Sequence, residues 1–179
     1  LQGIMGSYYA KAQGFSDEIS LAIREQYLPK AENWALPSSE FSSIVALANK
    51  LDTLMGLFSV NKIPSGTKDP YALRRTANGV IKIALNLGVK FNLRELLNKL
   101  APNYKKFDLQ SLENFIFERL DTLYSANSSF IKAVLMSQNA DLVHIDESIK
   151  ALIALSKKDD FSENFSTFKR LANIAVKVS

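Results

Sequence analysis

The chain has 179 residues, 47% hydrophobic and 22% charged, as in a soluble globular protein able to bury a core in one domain or two small ones. No apolar run approaches the roughly 18 residues of a bilayer span, and the absence of cysteine excludes disulfides and thiolate metal sites. The net charge of +4 is uneven: residues 61–106 carry ten Lys/Arg against two Asp/Glu, a local +8, between flanks of −2 each. Such a block suits phosphate or an acidic partner surface, or is a solvated lysine-rich face. The start, L-Q-G-I-M-G, carries no initiator Met, no basic n-region and no long apolar stretch. It opens inside an apparent helix, as expected of a piece of a longer chain, and the cytoplasm is the default compartment.

In chain order, Ser16 predicts the cap of a helix with Asp17 and Glu18 in its first turn, running to Leu28 before Pro29. Ser38 or Ser39 opens the next, where Phe41, Val45, Ala48, Leu51, Met55 and Phe58 fall at helical spacing. Asp69 followed by Pro70 reads as an N-cap with proline at the first helical position, and Gly88 as that helix's C-cap. Asn92 and Glu95 resemble a capping box for a short helix ended by Pro102. Asp108 starts a helix carrying Leu112, Phe115, Ile116, Leu120 and Leu123. Three more are expected near 128–138, 143–156 and 160–177. No stretch alternates with period two, and no Asn-Gly hairpin signal is present. The fold class is all-α. The short, lysine-rich pattern between Gly88 and Asp108 suggests two units, 1–88 and a second helical layer at 89–179.

Nucleophilic catalysis needs a base, and the only histidine is His144, at a helix entry where a surface or capping role suffices. The pairs Asp146-Glu147 and Asp159-Asp160 are explained by helix dipoles. The stretch S-G-T-K-D at 65–69 fails the Walker pattern, having one glycine, and one histidine cannot furnish a hydrolytic metal site. No catalytic or metal-binding residue is assigned. Asp52 falls on the helical wheel beside Phe41, Val45 and Ala48, so it is expected to be hydrogen-bonded within the helical core. A relic of a metal or polar site is the alternative there.

Residues 65–75, S-G-T-K-D-P-Y-A-L-R-R, sit in the basic block. Leu73, Ala77, Val80, Ala84 and Leu87 share one helix face; Arg75, Asn78, Lys82 and Asn86 share the opposite one, with Arg74 on the flank. Backbone N–H groups at that helix start favour anions, and Gly66 allows loop conformations and close approaches closed to other residues. Lys68, Arg74, Arg75 and Lys82 are therefore candidate phosphate contacts, with Gly66, Asp69 and Pro70 shaping the loop. Tyr71 and Tyr104 lie nearby. The competing reading has one arginine, Arg74 before Arg75, pairing with a carboxylate of a neighbouring helix.

L-Q-G-I-M-G-S-Y-Y-A at 1–10, V-A-L-A-N-K-L-D-T-L-M-G-L-F at 45–58 and I-P-S-G-T-K-D-P-Y-A-L-R-R at 63–75 resemble the beta subunit of bacterial-type glycyl-tRNA synthetase. F-K-R-L-A-N-I at 168–174 is similar to a later segment of that family. The resemblance implies an internal fragment of that subunit, lacking its N-terminal region and C-terminal anticodon-binding domain. It implies a role in binding tRNA(Gly) and in assembly with the alpha subunit, as a cytoplasmic heterotetramer of two alpha and two beta. ATP and Mg²⁺ are implied at the separate alpha subunit, and no cofactor in this segment. The resemblance also implies an HD-type helical domain. Asn49 and Gln26 stand where that type carries an Asp and, in many members, a His, so no tightly held transition metal is expected. The alternatives are an HD-type metal-dependent nucleotide phosphohydrolase and a purely structural helical scaffold.

Overall fold

The computed structural model describes residues 2–31, 35–124, 128–161 and 163–167. Among them are nine α-helices and no β-strand, only two isolated bridges. The helices are α1 (Ile4–Ala12), α2 (Asp17–Glu25), α3 (Glu40–Ser59), α4 (Leu73–Leu87), α5 (Leu93–Leu100), α6 (Leu109–Phe117), α7 (Leu120–Leu123), α8 (Ser128–Leu135) and α9 (Leu142–Ser156). The all-α expectation holds. The helix expected near 160–177 falls mostly outside the described residues.

Local chemistry sets most of the ends. Ser16, Ser39, Asn92, Asp108 and Asp141 cap their helices, each side chain accepting a backbone N–H of the first turn. Gly88 closes α4 in the left-handed conformation at φ 63°, which glycine adopts without steric cost. Two ends differ from expectation. Helix α2 stops at Glu25, three residues short of Leu28, and the Leu28–Pro29 peptide is cis. The helix expected from Asp108 through Leu123 breaks into α6 and α7 around Glu118 and Arg119.

The start of α4 also departs from the expected geometry. Asp69 and Pro70 are not its N-cap and first residue. They form a turn closed by the Ala72 N–H on the Asp69 carbonyl at 3.1 Å, where proline's fixed φ suits the second position. Ala72 then takes φ 56°, and the helix begins at Leu73. Asp69 still caps, from outside: its carboxylate accepts from Leu73 N at 2.8 Å and Arg74 N at 2.9 Å.

Helix α4 is the centre of the molecule. Leu73, Ala77, Val80, Ile81, Ile83 and Ala84 are fully buried, and the helix packs against α3, α6 and α9. One apolar cluster runs from Ala46 on α3 to Ile149 on α9, drawing on residues of both 1–88 and 89–179. The α1–α2 hairpin lies outside that cluster and reaches it through the packing of α2 on α3.

Helix α3 keeps Leu51, Met55 and Phe58 of the expected wheel inward, but its first half departs from it, with Phe41 and Ala48 exposed. Its buried residues are Ser42, Ser43, Ala46, Leu47, Lys50, Leu51, Leu54, Met55 and Phe58, whereas Phe41 is 40% and Ile44 51% exposed. Asp52 shares the outward side and is exposed, so it does not lie in the core. Its carboxylate accepts the Tyr104 hydroxyl at 2.6 Å, tying α3 to the segment after α5. Burial, with that bond behind it, pushes the Tyr104 phenol up to about 12.

Candidate nucleic-acid interface

The loop between α3 and α4 is held by its own polar groups. Ser65 and Lys68 exchange backbone hydrogen bonds of 2.9 and 3.2 Å. Gly66 turns at φ 52° with open space around it, and its carbonyl accepts an Arg74 Nη2 hydrogen bond of 2.6 Å. With Asp69 fastened to the α4 N–H groups, the loop is braced at both ends. It bounds a cleft of about 290 Å³ lined by Lys62, Ile63, Pro64, Lys68, Pro70 and Tyr71, with Asn61, Ser65 and Asp69.

The four candidate basic residues are divided. Lys68 is exposed in this cleft, joined there by Lys62. Among the described residues neither lysine has an ion-pair partner. Arg74 serves the loop, bonded to a backbone carbonyl and not to the neighbouring carboxylate of the competing reading. Arg75 is exposed, and its Nη1 donates to the Lys30 carbonyl at 3.2 Å. It and the half-buried Lys82 line a second cleft of about 240 Å³ with Pro29, Ala31, Asn78 and Gly79. The Asn78 Oδ1 is buried there and accepts no hydrogen bond.

Behind this second cleft lies Lys50, a residue that no sequence motif singles out. It is 6% exposed, and its Nζ lies 3.5 Å from the carbonyls of Tyr27 and Pro29. Desolvation pulls its ammonium down to about 8. Its stem runs over Gly79, where a Cβ would come within 2.7 Å of Lys50 Cε. The available signal is positional: Lys50 follows Ala46 and precedes Leu54 at four-residue spacing, on the buried stripe. Other members of the basic block are structural. Arg94 grips the buried Glu113 through Nε at 2.9 Å and Nη2 at 2.6 Å, and Lys90 pairs with Glu147 at 3.3 Å.

Titratable side chains away from the loop are dispersed by the fold. Among the described residues, no group of three His, Cys, Asp or Glu side chains is placed to hold a metal ion. His144 is exposed in the first turn of α9. Asp146 differs from its expected role as a helix-start charge: it is buried, accepts the Tyr124 hydroxyl, and pairs with Lys150 at 2.8 Å. Among the described residues no helix is long and apolar enough to cross a membrane.

The fold and site define an all-α module with a braced basic loop. The family profile described as glycyl-tRNA synthetase beta subunit matches residues 1–136. The glycine–tRNA ligase beta subunit of Helicobacter pylori (strain G27) is 48% identical over 181 residues, covering 97% of this chain and 26% of the relative. That of Lawsonia intracellularis is 36% identical over 188 residues, covering 99% and 27%. That of Streptococcus pneumoniae (strain Hungary19A-6) is 38% identical over 184 residues, again covering 99% and 27%. The chain belongs to the glycyl-tRNA synthetase beta subunit family, and it spans about a quarter of the length of these curated relatives.

Proposed function

We propose that this chain is a tRNA-binding and subunit-assembly portion of a glycine–tRNA ligase, the enzyme that attaches glycine to tRNA with ATP, and that it supplies no catalytic residue. Glycine activation, with its ATP and Mg²⁺, belongs to a separate alpha subunit, joined with this one in a cytoplasmic heterotetramer of two alpha and two beta. The observation that carries the reading is the braced loop with Lys62 and Lys68 exposed and unneutralised in one cleft, with the exposed Arg75 lining a second cleft on α4. Exposed cations on a preformed loop backbone release counterions from a phosphate backbone, and only their side chains have to be ordered. Family membership supports tRNA(Gly) as the RNA in this reading. The 1–88 and 89–179 division is retained as a proposal for two helical layers, one resembling an HD domain, that share a single core.

The test is tRNA(Gly) binding by the full beta subunit assembled with its alpha partner, measured across a salt series. Lys68→Ala and Arg75→Ala are each expected to weaken binding and to lower the log–log salt slope by about 0.7–0.9. Melting temperature should hold, since both side chains are exposed. Normal affinity and an unaltered slope in both variants would make the loop a structural helix entry.

A further inference from the structure

The cleft beside Lys68 has a composition that phosphate binding alone does not call for. Beside Lys62 and Lys68 its lining holds exposed apolar groups: Tyr71 is 49% and Ile63 41% exposed, with Pro64 and Pro70, and with Asn61, Ser65 and Asp69 completing it. A protein surface that only tracks a backbone needs charge and hydrogen-bond donors, and an exposed aromatic adds nothing to it. An aromatic ring flanked by lysines is the arrangement that takes a base by its flat face and the attached phosphate by its charge. At about 290 Å³ the cleft is at the lower end of small-molecule pockets, so it admits one planar group and not the side of a double helix. Inside a helix both faces of a base are covered by its neighbours, so only an unpaired base can enter.

We propose that this cleft holds a single unpaired nucleotide of the bound RNA, its base against Tyr71 and Ile63 and its phosphate between Lys62 and Lys68. The inference rests on the tRNA-binding reading above and specifies what that surface grips. Asp69, the carboxylate in the lining, does not oppose it. Both of its oxygens are engaged by the backbone N–H groups of Leu73 and Arg74, which draws its charge toward the helix start. The Ser65–Lys68 exchange and the Arg74 bond to Gly66 hold the cleft open beforehand, so the nucleotide enters a formed site.

The experiment uses the assembled enzyme with three probes: tRNA(Gly), a single-stranded oligouridylate and a fully paired RNA duplex. Tyr71→Ala should weaken tRNA and oligouridylate binding by about 5- to 160-fold, the range for loss of one aromatic–base stack, and leave duplex binding unchanged. The salt slope should stay at the wild-type value, because no charge is removed. Tyr71→Phe should bind as wild type, and Tyr71→Leu, which keeps apolar bulk if alanine perturbs the loop, should bind as weakly as the alanine variant. Wild-type affinity of Tyr71→Ala alongside weakened Lys68→Ala overturns the nucleotide cleft and leaves the tRNA reading standing. Unchanged binding by both overturns the nucleotide cleft, and with Arg75→Ala also unchanged the tRNA reading of this surface falls with it. Equal losses for duplex and single strand, or loss only through failed assembly with the alpha subunit on gel filtration, also overturn the nucleotide cleft.

Discussion

At the residue scale, α3 holds Asp52 away from the apolar edge that the helical wheel assigns it and buries a lysine instead. Asp52 is on the surface with a tyrosine hydroxyl for a partner, whereas Lys50, two positions earlier, lies beneath α4 with only two long contacts to carbonyls. A lysine accommodates this because its four-carbon stem packs as an apolar chain over Gly79 while the amine reaches polar backbone. Its charge remains costly to bury, and that fixes the sign of a pH effect. The Lys50 ammonium titrates at about 8 in the folded chain, against an ordinary value of 10.5, so the unfolded state binds more protons between those values. Stability therefore rises as pH increases from about 8 toward 10. Above pH 10 the raised phenols of Tyr104 and Tyr124 act oppositely, since they resist ionising in the fold. Thermal denaturation at fixed ionic strength should show melting temperature climbing between pH 8 and 10. Lys50→Met should flatten that climb; an unchanged climb in the variant would place its source elsewhere.

At the element scale, the α3–α4 contact depends on Gly79. Glycine inside a helix usually costs about 0.5–1 kcal/mol relative to alanine, so Gly79→Ala on an open face would stabilise. Here the added methyl would meet Lys50 Cε at 2.7 Å and Cδ at 2.9 Å. It would push the amine off the Tyr27 and Pro29 carbonyls or separate the helices. The expected result is destabilisation by about 1–3 kcal/mol. In a Lys50→Ala background the same change should be neutral or stabilising. A double-mutant cycle by urea denaturation reads the coupling, and additive effects would show that the two residues do not press on each other. The capping pattern of these helices is legible in sequence, since Ser39, Asn92, Asp108 and Gly88 act through bonds made within one turn. The α4 start is not, because Asp69-Pro70 is compatible with both a helix entry and the observed turn. The choice falls to the loop, where Arg74 closes on Gly66.

At the scale of the whole molecule, charge and core are arranged differently. The positive excess of residues 61–106 is dispersed by the fold. Arg94 and Lys90 go to carboxylates of α6 and α9, Arg74 goes to its own loop, and Lys62, Lys68 and Arg75 remain at the surface. The apolar cluster, by contrast, ignores the break that the Gly88–Asp108 segment suggests, joining α3 and α4 to α6, α8 and α9. Burial shared in this way couples the two halves, because neither can open without exposing the other's apolar face. Heat denaturation followed by far-UV circular dichroism and by tyrosine fluorescence should give coincident single transitions. Two separated transitions would show that 1–88 and 89–179 are independently stable.

The order of amino acids is enough for the class of fold, most helix positions and the location of the excess charge. Each of these follows from periodicity or from contacts within a few residues, which the chain states directly. It also carries the family, through three ordered blocks. Tertiary packing was needed to choose which side of α3 faces inward, which cations are consumed by carboxylates, and that Tyr71 shares a cleft with Lys62 and Lys68. Most of those outcomes depend on pairs far apart along the chain, such as Lys50 with Gly79, Asp52 with Tyr104 and Arg94 with Glu113. A helical wheel ranks the faces of one helix by hydropathy alone. When a stem as long as lysine's can fill the gap over a glycine, the neighbouring helix chooses the face.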